Sequence, residues 1–302
     1  FPTRRSSDLN NRKEKWNRIG SDCVSADLHC HTKMSDGSVT IEELVILAKN
    51  KGITTISVTD HDTFAGSTRA KVFAKRHGVT VIPGIEISAF DYDRNQKVHV
   101  LCYHCSYPDR LEGLCKKIGD SRKKAASIMV QKVMHLYPVG AEILLRHSHG
   151  STNIFKQHIM HGLMDAGYTN ELYGAVYHKL FTPRIGLAYS KIEYPDVHHV
   201  LNEVKQAGGI AVIAHPGQLK DISLLEQLAD RKEIDGIEVW HPSNEESLIA
   251  QLMILAQTHH LLMTGGTDFH GMYSKVPRTI GSYITPQEQV RALEKWKQKH
   301  KN

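Results

Sequence analysis

The run Asp27-Leu28-His29-Cys30-His31-Thr32, with Ser35-Asp36-Gly37 close behind it, carries the first side chains able to do chemistry. On an extended strand successive side chains alternate faces, so His29 and His31 point one way and Cys30 the other. Two imidazoles on one face make a pair of metal ligands, and Asp36 adds an oxygen donor. A single His-x-His arises by chance; here the signal recurs. His61 sits in Asp60-His61-Asp62, Glu86 closes Pro83-Gly84-Ile85-Glu86, and His99 lies in Val98-His99-Val100. His215 precedes Pro216, and Asp268 and His270 flank Phe269. Together His29, His31, Asp36, His61, Glu86, His99, His215, Asp268 and His270 are too many for one zinc ion, which takes about four ligands. Imidazole and carboxylate without thiolate suit a shared cluster of two or three divalent ions, manganese first, with iron or zinc as the other choices. Such clusters serve phosphoryl transfer: they polarise phosphoryl oxygens, hold a hydroxide at neutral pH and steady the leaving oxygen.

The elements that must position these residues alternate. Ala26–His31 reads as a strand, followed by a helix capped by Thr40, with Glu42 and Glu43 in its first turn and Gly52 at its end. Ile53–Thr59 is β-branched almost throughout, as a strand buried on both faces should be. A helix over Ser67–His77 leads to strands Val79–Ile85 and Val98–Tyr103. Helical periodicity then dominates over Arg122–Tyr137, Asn153–Ala166 and Asn170–Phe181. Alternation resumes with a helix at Val197–Gly208, strands at Ile210–His215, Gly236–Trp240 and Leu261–Thr267, and helices at Leu224–Ala229, Glu245–His259 and Gln287–Lys299. About seven strands alternating with helices predict a parallel α/β barrel, whose site gathers at the carboxyl ends of the strands. His61, Glu86, His215, Asp268 and His270 are expected at that rim. The division that follows is a barrel of residues 23–105 and 191–302 with a helical insertion over 106–190. Residues 1–22 form a leader outside it, of which Phe1–Leu9 looks like a translated sequencing-adapter fragment.

Composition narrows the classes. Hydrophobic content of 40% and charged content of 23% over 302 residues suit a globular chain with a sizeable core. There is no apolar run of membrane-spanning length and no signal-peptide pattern. Five irregularly spaced cysteines argue against a disulfide framework and for a reducing, cytoplasmic setting. Cys102-Tyr-His-Cys105 is nominally a C-x-x-C, but it begins inside a buried strand and has no second pair. A net charge of +6 suits a small phosphorylated substrate rather than long nucleic acid. Twenty histidines are an excess that invites a metal explanation. Oligomeric state is not legible.

The ordered motifs Asp27-Leu-His-Cys-His31 with Ser35-Asp36-Gly37, Thr59-Asp-His-Asp62, Pro83-Gly-Ile-Glu86, Val98-His99, Ala214-His-Pro216 and Gly266-Thr-Asp-Phe-His270 resemble those of the PHP (polymerase and histidinol phosphatase) metal-dependent phosphoesterases. The resemblance implies a distorted (β/α)7 barrel, and it implies that the nine residues above are the metal ligands, with three ions in the fuller members. It also implies an insertion that caps the barrel, with Arg122 on its basic helix. Where 3',5'-nucleotide bisphosphate phosphatases carry Arg-x-His, this chain has Asn153-Ile-Phe-Lys156-Gln-His158. Lys156–Met160, His178–Phe181 and Glu238–Pro242 look closer to the enzymes that open 5-phosphoribosyl 1,2-cyclic phosphate.

The expected activity is therefore hydrolysis of that cyclic diester and then of the resulting monoester, by in-line attack of a metal-held hydroxide. The alternative is a nucleotide bisphosphate 3'-phosphatase or short-RNA 5'-3' exonuclease. An amidohydrolase-type deaminase would not need Glu86, and a non-catalytic PHP scaffold would have lost ligands. Arg122, Lys156 and His158 are the expected substrate contacts. Asp60 and Asp62 are expected to orient imidazoles. His241 is read either as a loop residue or as the leaving-group acid. His147, His149, His161, His198, His199, His259, His260 and His300 are read as surface residues.

Overall fold

The structure, a computed structural model, describes residues 25–299, so the expected leader and His300 lie outside the described residues. Among those residues the strands are β1 (Ala26–Cys30), β2 (Thr55–Val58), β3 (Thr80–Val81), β4 (Gly84–Asp91), β5 (Gln96–Tyr103), β6 (Ile210–Ile213), β7 (Gly236–Trp240) and β8 (Leu262–Gly265). The helices are α1 (Ile41–Asn50), α2 (Ala65–Lys75), α3 (Asp109–Leu136), α4 (Ala141–Leu145), α5 (Lys156–Asp165), α6 (Ala175–Phe181), α7 (Val197–Gln206), α8 (Ser223–Asp230), α9 (Glu246–Thr258) and α10 (Gln287–Lys299).

The local chemistry that starts and stops these elements is visible at α1. The Thr40 side chain accepts from the Glu43 N–H while Glu43 reaches back to the Thr40 N–H, a capping box. Gly52 leaves the helix at φ +72°, a conformation glycine adopts without a Cβ penalty.

The sheet corrects the expected single barrel. Strands β1, β2 and β3 form one parallel sheet, and β4 to β8 form a second. In the second, β4 pairs antiparallel with β5 and β5 antiparallel with β6, while β6, β7 and β8 run parallel. Only isolated bridges, Cys30 to Phe269 and His61 to Glu86, join the two sheets, so the ladder does not close. Pro83 falls where the expected Val79–Ile85 strand divides: proline has no N–H to give the ladder, and the chain leaves β3 after Val81 and starts afresh at Gly84. Glu86 therefore sits inside an eight-residue strand rather than at a strand end, and His99 lies inside the antiparallel partner. In that register Ser88 faces His99 and Glu86 faces Leu101, which leaves Glu86 and His99 on one face.

Three apolar clusters surround the sheets. Leu44, Val45, Ile56 and Val58 pack between α1 and the first sheet. Ile85, Val100, Val200, Leu225 and Val239 pack between the second sheet and α7 to α9. Leu28, Leu101, Val212 and Leu293 close the inner space over α10. Between β5 and β6 the described chain runs through helices α3 to α7, and Val133, Leu144, Ile159 and Phe181 of α3 to α6 gather in a cluster of their own. This stretch docks on the loop that carries Asp36: Ser151 Oγ donates to the Ser35 carbonyl at 2.7 Å and the Thr152 N–H to the Met34 carbonyl at 3.0 Å. No described helix is long and apolar enough to cross a membrane.

Candidate metal centre

The end of β8 lies directly against β1. A Cβ at Gly266 would stand 2.4 Å from the His29 backbone nitrogen, so only glycine admits the approach that brings Asp268 beside His29. Asp62, His215 and Asp268 occupy the left-handed region at φ 58°, 32° and 52°. That conformation costs a non-glycine residue about 1–3 kcal/mol, and here it turns each chain end at the rim of the site.

All nine residues expected as ligands converge. Nε2 of His29 and Nε2 of His31 stand 3.1 Å apart, and His31 Nε2 is 3.2 Å from both Glu86 Oε2 and Asp268 Oδ1. His61 Nδ1 lies 3.0 Å from Glu86 Oε2, while His99 Nδ1 and His215 Nε2 lie 2.7 and 2.9 Å from Glu86 Oε1. His270 Nε2 lies 3.3 Å from Asp36 Oδ1, and its Nδ1 3.4 Å from Asp268 Oδ1. Glu86 is thus the hub, with imidazoles against both oxygens.

Some of these contacts are hydrogen bonds, His215 Nε2 to Glu86 Oε1 among them, but they do not satisfy the whole cluster. His61 Nδ1, His99 Nε2, His215 Nδ1, His241 Nε2 and Asp36 Oδ1 are buried and have no hydrogen-bond partner. A buried polar atom left unpaired costs about 1–3 kcal/mol, so His61 Nδ1, His241 Nε2 and Asp36 Oδ1, which face the cluster, call for a ligand. Short separations among so many potential ligand atoms suit donors that converge on shared cations. His31, Asp36, His61 and His270 form one such group, His61, Glu86 and His99 another, and His29, His31 and Asp268 a third. The donor set therefore fits divalent metal ions.

The electrostatics agree. Burial pushes the Glu86 carboxyl up, but His61, His99 and His29 outweigh it and hold it well below the usual carboxylate range. Burial likewise opposes, and His270 and His61 overcome, the ionisation of Asp36. His31 moves up to about 10 despite burial, because Asp268 and Glu86 accept from it, whereas burial takes His99 down to about 3. Carboxylates kept ionised in a buried site favour positive charge beside them, whether from imidazolium or from a bound cation.

The remaining expected site residues divide. His241 is buried beside the cluster, with Nε2 3.4 Å from Asp268 Oδ2. Its Nδ1 accepts the Ser243 N–H at 3.0 Å, so the ring proton sits on Nε2, facing the site. Lys156 lines a cavity of about 740 Å³ that begins at Asp36 and His61, and its ammonium lies over the rings of Tyr189 and Phe181. Burial, then Lys97 and Arg122, push Lys156 down to about 8.

Arg122 also borders the cavity, but its guanidinium is engaged: Nη2 donates to Asp62 Oδ2 at 2.8 Å and Ser88 Oγ at 3.1 Å, under the ring of Phe155. His158 departs from expectation. It is buried, its Nδ1 accepts the Phe155 N–H at 3.2 Å, and so it closes the first turn of α5 instead of facing the cavity. Asp60 and Asp62 do not hydrogen-bond an imidazole. Asp60 accepts from Thr32 and Ser35, fixing the loop that carries Asp36, and Asp62 fixes Ser88 and Arg122.

The imidazole-orienting group is Glu238, which sequence reading missed. It is fully buried in β7, its Oε1 lies 2.9 Å from His29 Nδ1, and its Oε2 accepts the His215 N–H at 2.7 Å. A carboxylate amid Gly236-Ile-Glu-Val-Trp240 was the available signal, since an ionisable residue inside a buried strand needs a partner. Gln157 was also missed; its amide donates to Asp36 Oδ2 at 3.2 Å. Cys30, Cys102, Cys105 and Cys115 are free thiols.

A mixed α/β scaffold that holds imidazoles and carboxylates in one buried, cation-demanding cluster defines a metal-dependent hydrolase. The family model of the PHP domain matches residues 27–160. A phosphoribosyl 1,2-cyclic phosphate 1,2-diphosphodiesterase of Eggerthella lenta is 36% identical over 253 residues, 83% of this chain and 96% of that relative. A 5'-3' exoribonuclease of Salmonella typhimurium is 30% identical over 82% of this chain and 85% of its own. The crystal structure of a metal-dependent phosphoesterase from Bifidobacterium adolescentis superposes with a TM-score of 0.81 at 29% identity, covering 90% of this chain and 96% of that one. This chain belongs to the PHP family and is one of its metal-dependent phosphoesterases.

Proposed function

We propose that this hydrolase acts on 5-phosphoribosyl 1,2-cyclic phosphate: water adds across one ring P–O bond to open the diester, and a second water releases inorganic phosphate from the monoester. The observation that carries the reading is the 36% identity to a cyclic phosphate diphosphodiesterase over 96% of its length. The site supports it through a cavity of about 740 Å³ that starts at Asp36 and His61 and is bordered by Lys97, Lys156, Arg184, Lys191 and Lys220. That volume suits a phosphorylated pentose, and the lysines suit its distal phosphate.

His29, His31, Asp36, His61, Glu86, His99, His215, Asp268 and His270 would hold two or three divalent ions, manganese by our assignment. Such ions, when bound, supply the positive charge that offsets the developing negative charge on the phosphoryl oxygens. Glu238 holds His29 by Nδ1, which leaves the Nε2 lone pair facing the cluster. His241 carries a proton on Nε2, where it serves the departing sugar oxygen. Lys156 binds the distal phosphate, and Arg122 shapes the cavity floor through Asp62 and Ser88. We take residues 106–190 as the cap that excludes water from the substrate, over a metal-binding unit of 23–105 and 191–302.

A second reading, a nucleotide bisphosphate 3'-phosphatase or 5'-3' exonuclease, is favoured by one feature. Tyr92, Tyr177, Tyr189 and Tyr194 border the same cavity, and aromatic rings there suit a stacked base. Inorganic phosphate release from the cyclic sugar phosphate and from a 3',5'-nucleoside bisphosphate, each with manganese, separates the two. Turnover of the sugar phosphate at least tenfold faster is expected; turnover of the nucleotide alone would reverse the ranking.

A further inference from the structure

Away from the catalytic cluster, a second set of donors meets on the helical stretch. The turn 146–148 that follows α4 carries His147, and α5 carries His161 and Asp165. Residues four apart on a helix share a face, so His161 and Asp165 stand side by side. Gly162 lets α5 press on α4: a Cβ there would lie 2.5 Å from the Ile143 carbonyl oxygen. That close approach lays the His147 ring flat on His161, with centroids 3.4 Å apart and planes 10° apart. His147 Nε2 lies 2.8 Å from Asp165 Oδ2, and the potential ligand atoms of all three residues fall within 4.8 Å of one another.

Burial, and then His147, push His161 down, which favours its neutral ring, and a neutral imidazole offers one nitrogen lone pair. His161 Nδ1 is engaged with Tyr273 Oη at 2.8 Å, which holds the ring in place by the atom that is not needed for a ligand. Arg146 touches Asp165 Oδ2 at 3.4 Å but is largely solvated, so it competes weakly for the carboxylate.

We propose that His147, His161 and Asp165 form a second, exchangeable transition-metal site, distinct from the catalytic cluster. Two imidazoles and one carboxylate select zinc, nickel or cobalt over magnesium or calcium, which prefer all-oxygen shells. Binding splays the stacked rings so that both lone pairs meet the ion, and the ion displaces the proton of the His147 Nε2–Asp165 Oδ2 hydrogen bond, which passes to solvent. Water completes the coordination on the exposed side.

The test counts ions. Untagged protein stripped with chelator is titrated with zinc by calorimetry, and bound metal is measured by mass spectrometry after gel filtration. The same is done for His147→Gln and Asp165→Asn, both surface substitutions that leave the catalytic cluster untouched. Each variant is expected to bind one equivalent fewer than the wild type, with unchanged phosphoesterase activity and an unchanged melting temperature without metal. Equal stoichiometry in all three proteins would overturn the proposal. Because the readout is the difference between proteins, it stands whatever number of ions the catalytic cluster takes.

Discussion

Glu238→Gln keeps the shape of a fully buried side chain and removes its charge. In the native site Oε2 accepts the His215 N–H at 2.7 Å and Oε1 faces His29 Nδ1 at 2.9 Å. Glutamine has one acceptor oxygen, which can satisfy either partner but not both. If that oxygen keeps His215, the amide NH₂ faces His29 Nδ1 and forces that nitrogen to become an acceptor. The ring proton then moves to Nε2, the atom 3.1 Å from His31 Nε2 and 3.5 Å from Glu86 Oε2 and Asp268 Oδ1. His29 is lost as a ligand without moving. If the oxygen turns to His29 instead, the buried His215 N–H loses its partner.

Either outcome forfeits one charge-assisted hydrogen bond in a dry site, worth about 1.5–3 kcal/mol, or roughly 10- to 150-fold in an equilibrium constant. Loss of an orienting partner behind a metal ligand costs about 10- to 100-fold, which agrees. The assay is competition between the protein and a chelator for manganese, read alongside phosphate release. Metal affinity and kcat are both expected to fall by about 10- to 100-fold, while the metal-free melting temperature changes little. Wild-type metal affinity in Glu238→Gln would refute the tautomer argument.

Three further outcomes follow from the same geometry. His241→Gln should lower kcat about 10²- to 10⁴-fold on a sugar phosphate but far less on a p-nitrophenyl phosphoester, whose leaving group needs no proton; equal losses on both would remove His241 as the acid. Lys156, pushed down to about 8, loses its charge above that pH, so KM for a phosphorylated substrate should rise from pH 8 upward with kcat little changed. In Lys156→Arg the rise should vanish, and a profile identical to wild type would count against a phosphate contact. Manganese at 100 times its dissociation constant should stabilise the fold by about 2.7 kcal/mol, raising the melting temperature by roughly 4 °C. A melting curve indifferent to manganese and chelator would rule out a metal site in the native state.

The nine converging residues were legible because each belongs to a short local pattern. Alternation along the expected strand Ala26–His31 put His29 and His31 on one face, and turns after strands marked His61, His215 and Asp268 as rim residues. Helix caps such as Thr40 with Glu43, and Gly52 beyond them, were legible for the same reason, since their chemistry is complete within a few positions. His99 was expected in its strand, but Glu86 was singled out at a strand end, whereas it lies inside β4. The break at Pro83 and the hairpin from β4 to β5 depend on which strand each run pairs with, and hydrophobic content does not distinguish a continued strand from a restarted one.

Sequence alone thus determined residue chemistry, periodicity and the class of reaction. Only the tertiary structure decided partners. It bound Glu238 to a histidine 209 residues away, turned Arg122 onto Asp62 across 60 positions, and buried His158 as a helix cap. It also stacked His147 on His161 through the close approach at Gly162. The physical reason is range. Backbone preferences and caps act over a turn or two of chain, whereas a buried charge takes whichever counter-group packing delivers, and that selection exists only once the core has closed.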